Sequence, residues 1–213
     1  MACRIFLVAA SMLAGMLLQP VCALAAETPL ANGVLLVAKP DLFDPNFSET
    51  VVLITQRHAG SGQIGVIINR PLGARLSEGV PDLGVVPEPF DKLYVGGPVA
   101  RDQILYLLRA TTRPERSVQV LEDVFLSGDA PLLKRIVSGE VKVAAFRAFA
   151  GMSGWAPRQL RAEIEQGGWY VIPADAETIF AANVATMWQD LIRRITSRST
   201  NLVPLHGGKT ALR

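Results

Sequence analysis

The chain has 213 residues, half of them hydrophobic, and its formal net charge at pH 7 is only +2. A near-neutral balance gives no electrostatic footprint for nucleic acid, so no direct nucleic-acid partner is expected, and no strong attraction to acidic membranes. The length suits one domain with a sizeable core.

The first 25 residues have the anatomy of a secretory signal peptide. Arg4 supplies a positive charge, residues 5–18 are apolar and uncharged, and residues 23–25 read Ala-Leu-Ala, an A-x-A cleavage pattern. The apolar run is too short to span a bilayer comfortably. We therefore expect a periplasmic or secreted protein that begins near Ala26, with no transmembrane anchor. The alternative is a cytoplasmic protein whose start has been misassigned.

Cleavage at that point would also remove both cysteines, Cys3 and Cys22. The mature chain would then contain no disulfide, no thiol nucleophile and no thiolate metal ligand. About 188 residues would remain, which we divide into a domain over residues 26–196 and a poorly ordered tail over residues 197–213.

Apolar, β-branched runs bounded by Gly and Pro predict a series of strands. They cover residues 33–39, 50–56, 63–69, 92–95, 104–108, 117–121, 124–126 and 141–149. Residues 76–89 mix Gly, Pro and acidic side chains, which predicts a loop with one short helix. Asp129 is predicted to cap a helix over residues 131–137, which Gly139 ends.

Residues 151–169 contain two of the three tryptophans and four glycines around a short helix. Pro157 fits the first turn of that helix, and the glycines at 167 and 168 end it. Glycines flank Trp155 and Trp169 and permit close backbone packing, so we expect both indoles to be buried.

The rest of the chain is predicted to contain one more strand and two more helices. The strand covers residues 169–172, and Asp175 caps a short helix that runs through Phe180. A last helix over residues 184–195 places Met187, Leu191 and Ile195 on one apolar face.

Two motifs resemble functional signatures without the required context. Residues 60–65 match G-x-G-x-x-G, but the next residues are Val66-Ile67-Ile68 rather than the start of a helix. We interpret them as a β-hairpin connection, not a dinucleotide site. Ser153 lies in Gly-Met-Ser-Gly-Trp, where a nucleophile elbow needs glycine in place of Trp155.

Residues suited to acid–base or metal chemistry are sparse. The only histidines are His58 and His206, in unrelated predicted loops, so they form neither a catalytic pair nor a metal site of recognisable spacing. The acidic residues Asp41, Asp44 and Glu49 lack a calcium-loop pattern. We predict no metal and no cofactor.

Candidate binding residues lie where predicted strands end. Arg70 follows one strand and precedes Pro71, so its side chain projects from a backbone position that the strand and the proline hold rigid. Gly96 and Gly97 end another strand and could let backbone N–H groups approach a ligand. The alternative is structural, with Arg70 pairing with a local carboxylate and the glycines only turning the chain.

An ordered set of residues between Gly33 and about Ile195 carries a family resemblance. The set is Ala38-Lys39-Pro40, Asp44, Phe47, residues 51–54, residues 65–71, residues 94–99, Gly151, Gly154, Trp155, Gln159, Leu160, Glu163, Trp169, Phe180 and Trp188. In this order it resembles the AlgH/YqgE family of bacterial proteins. Gly154, Trp155, Gln159 and Glu163 therefore join the candidate binding residues.

The chain departs from the family pattern on one turn and helix, and by its leader. Met152 stands where the family usually has Tyr, Arg158 where it has Gly, and Arg161 where it has an acidic residue. Typical members lack a leader and look cytoplasmic. The family is also linked to transcriptional control of exopolysaccharide synthesis.

The resemblance implies a single α+β domain with a mixed, mostly antiparallel sheet curled into a pseudo-barrel and flanked by helices. Strand segments that outnumber helices without regular βαβ alternation agree with that fold. We expect a non-enzymatic binding or regulatory module, exported, whose partner is an unknown protein or small molecule. The alternatives are a periplasmic hydrolase built around Arg70, Gln159 and Glu163, and a cytoplasmic regulator.

Overall fold

The computed structural model describes residues 32–58 and 62–200. Within them, ten strands form one curled, half-barrel sheet with helices packed around it. The strands are β1 Val34–Ala38, β2 Val51–His58, β3 Gly62–Ile67, β4 Pro71–Arg75, β5 Lys92–Val95, β6 Val99–Arg109, β7 Val118–Gln119, β8 Val124–Ser127, β9 Ala145–Trp155 and β10 Trp169–Pro173.

The sheet is mixed but almost wholly antiparallel, so the predicted fold class is confirmed. Its strand order is β10-β1-β2-β3-β9-β6-β8-β7, with β4 paired to β5 and β5 paired to β9. The β5–β9 pair is the parallel one. Strands β2 and β3 pair antiparallel as far as His58 and Gly62, which confirms the hairpin interpretation of the glycine-rich segment.

The curl of the sheet is centred on the long strand β9. Along one edge, its residues 148–150 pair with β5 and its residues 153–155 pair with β3, while β6 pairs along the other edge. Gly151 lies at the switch with a φ of +74°, where a Cβ would lie 2.8 Å from the carbonyl oxygen of Val99. Glycine is therefore required at the bend.

The described residues contain five α-helices and one 3₁₀ turn, at Pro81–Leu83. The helices are α1 Leu76–Gly79, α2 Ala130–Val137, α3 Gln159–Glu165, α4 Ala176–Ile179 and α5 Met187–Thr200. Asp129 caps α2 as predicted, accepting a hydrogen bond from the Leu132 amide at 2.9 Å. None of these helices is both long and apolar enough to cross a membrane.

Several predicted boundaries differ from the structure. Pro157 precedes α3 instead of lying in its first turn, and the strand predicted over residues 141–149 begins at Ala145 and continues through Trp155. Helix α5 begins at Met187 and continues to Thr200, so residues 197–200 are helical rather than part of a tail. The predicted leader, residues 1–25, and residues 201–213 lie outside the described residues.

Residues 35–38 of β1, 51–54 of β2 and 66–67 of β3 are buried on both faces of the sheet, which explains why these runs are apolar without alternation. Leu35, Leu53 and Val66 point into a core shared with α4 and α5. Leu36 and Ile54, on the opposite face, belong to a second cluster with Trp155 of β9 and Trp169 of β10, and Leu160 of α3 covers it. This second cluster supports the candidate site.

Candidate functional site

Glu163 lies at the centre of a hydrogen-bond network that joins α3 to the sheet. Its Oε2 accepts hydrogen bonds from the indole N–H groups of Trp155 at 2.9 Å and Trp169 at 3.0 Å. Its Oε1 accepts one from the side-chain amide of Gln159 at 3.0 Å. We call these four residues the Glu163 network. Both indoles are buried, with 4% and 3% of their surface exposed, as predicted.

Helix α3 places Glu163 through well-defined ends. The Gly168 amide donates to the Glu163 carbonyl at 2.9 Å and the Gly167 amide donates to the Ile164 carbonyl at 3.0 Å. With Gly167 at a φ of +88°, these bonds form a Schellman motif that stops the helix as predicted. At the other end, the Gln159 side chain accepts a hydrogen bond from the Ala156 amide at 3.0 Å.

The same tryptophans hold the loop of residues 39–50, called here the clamped loop. The Phe47 ring stacks on Trp155 with 5.5 Å between ring centroids and meets Trp169 edge-on at 5.6 Å. Asp44 shapes the turn before Phe47, because its Oδ1 accepts hydrogen bonds from the amides of Asn46 and Phe47 at 2.7 and 3.1 Å. Asp44 therefore has a structural role in this loop.

Asn69 and Arg70 fasten the clamped loop from the end of β3. The Arg70 guanidinium donates to the carbonyls of Asn46 at 2.8 Å and Ser48 at 3.1 Å. The Asn69 side chain accepts from the Val51 amide at 2.8 Å and donates to the Glu49 carbonyl at 2.9 Å. Arg70 thus bonds to main-chain carbonyls rather than to the local carboxylate of the structural alternative.

A phenylalanine projects from the clamped loop into solvent. Phe43 has 93% of its surface exposed, although the loop around it is held by Arg70, Asn69 and the ring of Phe47. The Ser48 hydroxyl, which donates to the Leu42 carbonyl at 3.1 Å, closes the loop on itself across Phe43. Exposing an aromatic ring in water costs hydrophobic free energy that a bound partner would recover.

Gly96 and Gly97 follow β5 and pack against the backbones of β3 and β9, which leaves no room for a ligand. This junction of β3, β5 and β9 at Gly96 and Gly97 is called here the glycine seam. The Gly96 amide donates to Ala150 and its carbonyl accepts from Ile67, both at 2.9 Å. A Cβ on Gly97, whose φ is +153°, would lie 2.3 Å from the carbonyl carbon of Met152. Close approach of two backbones, rather than of a ligand, accounts for these glycines.

Gly154 and Ser153 alternate across β9 beside that seam. Gly154 is exposed, and the nearest atom to an added Cβ would be a Val99 methyl carbon at 3.8 Å, so packing does not require glycine there. Ser153 is fully buried and donates to the Gly96 carbonyl at 3.0 Å. Its hydroxyl is therefore not an exposed nucleophile.

The structure thus brings some of the candidate residues together and separates others. Trp155, Gln159 and Glu163 form one network, Arg70 joins it through the clamped loop, and the glycine seam is a separate feature. Two surface cavities of about 200 Å³ each, beside β4 and beside α5, contain none of the candidates. Among residues 32–58 and 62–200, no cluster of three or more His, Cys, Asp or Glu side chains could hold a metal.

Sequence reasoning missed one buried cation. Arg147 on β9 is 5% exposed, and its guanidinium donates to the carbonyls of Ile68, Ile179 and Ala181 at 3.0, 2.7 and 2.8 Å and lies 4.6 Å from the Tyr94 ring centroid. Burial lowers the pKa of Arg147, but an arginine remains charged at neutral pH. The predicted strand over residues 141–149 contains two charged residues, Lys142 and Arg147, and the sequence alone does not tell which of them is buried. The bond from the Arg147 guanidinium to Ile179 links β9 to α4.

Known proteins are similar to this chain in sequence and in fold. The profile of the AlgH-like family matches residues 35–199. A UPF0301 protein of Chlorobaculum tepidum is 34% identical over 165 residues, covering 77% of this chain and 86% of the relative. A UPF0301 protein of Chlorobium limicola is 32% identical over 184 residues, covering 83% and 96%.

Two solved structures resemble this one throughout the domain. The solution structure of the AlgH protein from Pseudomonas aeruginosa has a TM-score of 0.65 and 26% identity, covering 82% of this chain and 95% of that one. The crystal structure of protein DIP2367 from Corynebacterium diphtheriae has a TM-score of 0.64 and 26% identity, covering 84% and 90%.

Proposed function

This chain belongs to the AlgH-like family, and four of its candidate residues, Arg70, Trp155, Gln159 and Glu163, support one loop. We propose that it is a protein-binding module without catalytic activity. In this proposal the clamped loop docks a partner through Phe43. Loops on a rigid scaffold commonly carry function, and aromatic anchors contribute much of the energy of protein interfaces.

The exposure of Phe43 on a firmly held loop is the observation that carries the proposal. A flexible loop would lose conformational entropy on binding, which costs affinity. The clamped loop has already lost that freedom on folding, through the bonds from Arg70 to Asn46 and Ser48, the bond from Asn69 to Glu49 and the packing of Phe47. The backbone that carries the exposed ring is therefore preorganised for binding to a complementary apolar pocket on a partner.

The environment of Glu163 supports the non-catalytic part of the proposal. A general base must reach a proton on its substrate, whereas both oxygens of Glu163 already accept hydrogen bonds from Trp155, Trp169 and Gln159. Arg70 is likewise engaged by two carbonyls. The hydrolase alternative would have to break these contacts in order to use either side chain.

Affinity purification with the bound protein identified tests the docking surface. The Phe43→Ala variant should lose a partner that the wild-type chain retains at stoichiometric yield. Val85→Ala is the matched control, because Val85 is also 93% exposed but lies outside the clamped loop. Equal recovery of that partner by wild type and both variants would contradict docking through Phe43.

We also propose that the protein is exported, and the pattern of residues 1–25 supports this. N-terminal sequencing of the protein purified from its own host, after cell fractionation, tests export. A chain that begins near Ala26 in the periplasmic or secreted fraction is expected. A chain that still begins at Met1 in the cytoplasmic fraction would favour the cytoplasmic regulator.

A further inference from the structure

A cavity of about 200 Å³ opens between β10, β1 and the C-terminal half of α5, away from the clamped loop. Its apolar lining includes Leu35, Ile172, Leu191 and Ile195. For scale, an apolar protein cavity of about 150 Å³ holds a benzene molecule. The space therefore suits a hydrocarbon group somewhat larger than benzene.

Two arginines line this cavity on the exposed side of α5. Arg194 and Arg198 are four residues apart, so they lie on the same face of the helix. Within the described part of the chain neither guanidinium forms a hydrogen bond or an ion pair. In contrast, Arg193 on the neighbouring face pairs with Asp190.

The carboxylate that also lines the cavity does not neutralise the two arginines. Asp175 accepts hydrogen bonds from the Thr178 amide at 2.7 Å and the Thr178 hydroxyl at 2.9 Å, as the N-cap of α4. Two cations and one anion leave the lining with a net positive charge. A guanidinium binds carboxylates in a bidentate geometry.

We propose that this cavity binds a medium-chain carboxylate, with its hydrocarbon tail against the half-buried side chains of Ile172 and Ile195 and its head group between Arg194 and Arg198. A tail of about six to eight carbons matches the volume. The tail supplies apolar burial and the arginines supply charge complementarity. This inference stands independently of docking through Phe43.

Titration calorimetry of the full chain with octanoate tests the site. Octanoate should bind saturably at one site, and both octan-1-ol and acetate should bind at least about tenfold more weakly, because each lacks one half of the recognition. The double variant Arg194→Gln/Arg198→Gln should weaken octanoate binding by about tenfold or more. Both side chains are exposed, so the variant should fold.

Arg193→Gln is the matched control and should bind octanoate as tightly as the wild type, since Arg193 pairs with Asp190. Three results would each overturn the proposal: no saturable octanoate binding, octan-1-ol binding as tight as octanoate, or an unchanged affinity in the double variant. Chemical-shift mapping onto β10 and α5 would support the location, and shifts confined elsewhere would refute it.

Discussion

Glu163 is held by three neutral donors rather than by a cation. The N–H groups of Trp155, Trp169 and Gln159 converge on its two oxygens, and hydrogen bonds to a charged group are stronger than those between neutral groups. A carboxylate in this position joins two buried indoles to one helix. Its role is therefore to fix the packing of α3 and, through Phe47, the clamped loop.

Replacing Glu163 by glutamine should destabilise the fold without changing any turnover. The amide would present an N–H₂ group to the Gln159 side chain, which also donates, and the charged acceptor would be lost. Urea denaturation should show a loss of about 1–3 kcal/mol, while the exposed neighbour Glu165→Gln should change stability by less than about 0.5 kcal/mol.

The same Glu163→Gln variant separates the module from the hydrolase. Ester, phosphoester and glycoside substrates should be turned over by the wild type no faster than by buffer, and the variant should match it. A wild-type rate well above background that falls by about a hundredfold in the variant, the scale of a lost general base, would overturn the non-catalytic proposal.

The backbone conformation of Arg158 explains why the family usually has glycine at this position. Its φ is +68°, in the left-handed region, which costs a residue with a side chain roughly 1–2 kcal/mol. Glycine would relieve that strain but gains freedom in the unfolded chain. Arg158→Gly should therefore raise the free energy of unfolding by about 0.5–1 kcal/mol.

The control for that substitution is Ala162→Gly in the right-handed interior of α3, which should instead cost about 1 kcal/mol. Chemical denaturation of both variants measures the pair. Loss of stability in Arg158→Gly would show that the arginine side chain makes a contribution larger than the strain.

Among the elements, β9 joins the two halves of the sheet. Its neighbours change from β5 to β3 at Gly151, and the Gly96-Gly97 segment fills the gap between those two strands. The bend of β9 at Gly151 places Trp155 on the face of the sheet that α3 covers. The seam therefore sets the position of the Glu163 network relative to the rest of the sheet.

Gly97→Ala should destabilise the protein by at least about 3 kcal/mol or prevent folding. The added Cβ would collide with the Met152 carbonyl, at 2.3 Å from its carbon and 2.4 Å from its oxygen. Gly73→Ala on β4 is the control, because nothing lies within 4 Å of its Cβ position. Soluble yield and thermal unfolding compare the two, and near-equal stabilities would refute a structural role for Gly97.

The hydrophobic pattern of the sequence predicted strands well where both faces of the strand are buried. The apolar runs of β1, β2 and β3 are continuous because helices cover both sides. Strand β4 escaped prediction because it begins at Pro71 and is largely exposed, so hydrophobicity does not mark it. The end of α5 was placed too early because its last two turns are polar, which a solvated helix permits.

At the scale of the whole molecule, the predicted α+β class and the burial of the tryptophans were confirmed, whereas the grouping of the candidate residues was not readable from sequence. Arg70 lies 24 positions from its acceptor Asn46. Arg147 reaches Ile68 across 79 positions. Contacts at such separations depend on the register and curl of the sheet, which local patterns do not encode.

The molecule therefore consists of a curled sheet whose long central strand, β9, aligns a tryptophan-lined face, and that face fixes one loop with an exposed ring. The cavity beside α5 lies at a separate position, lined by residues of β1, β10 and α5 and by the start of α4. The two proposals therefore place the protein partner and the carboxylate at separate positions on the molecule. Binding at either position should leave the other intact, because sites that share no contacts are usually independent.

Docking through Phe43 is tested most directly by site-specific photo-cross-linking in living cells. A photoreactive phenylalanine analogue replaces Phe43 in one strain and the equally exposed Val85 in another. A single discrete protein adduct at position 43 and none at position 85 is expected. No adduct at position 43, or the same adducts at both positions, would contradict the proposal that the clamped loop is the docking surface.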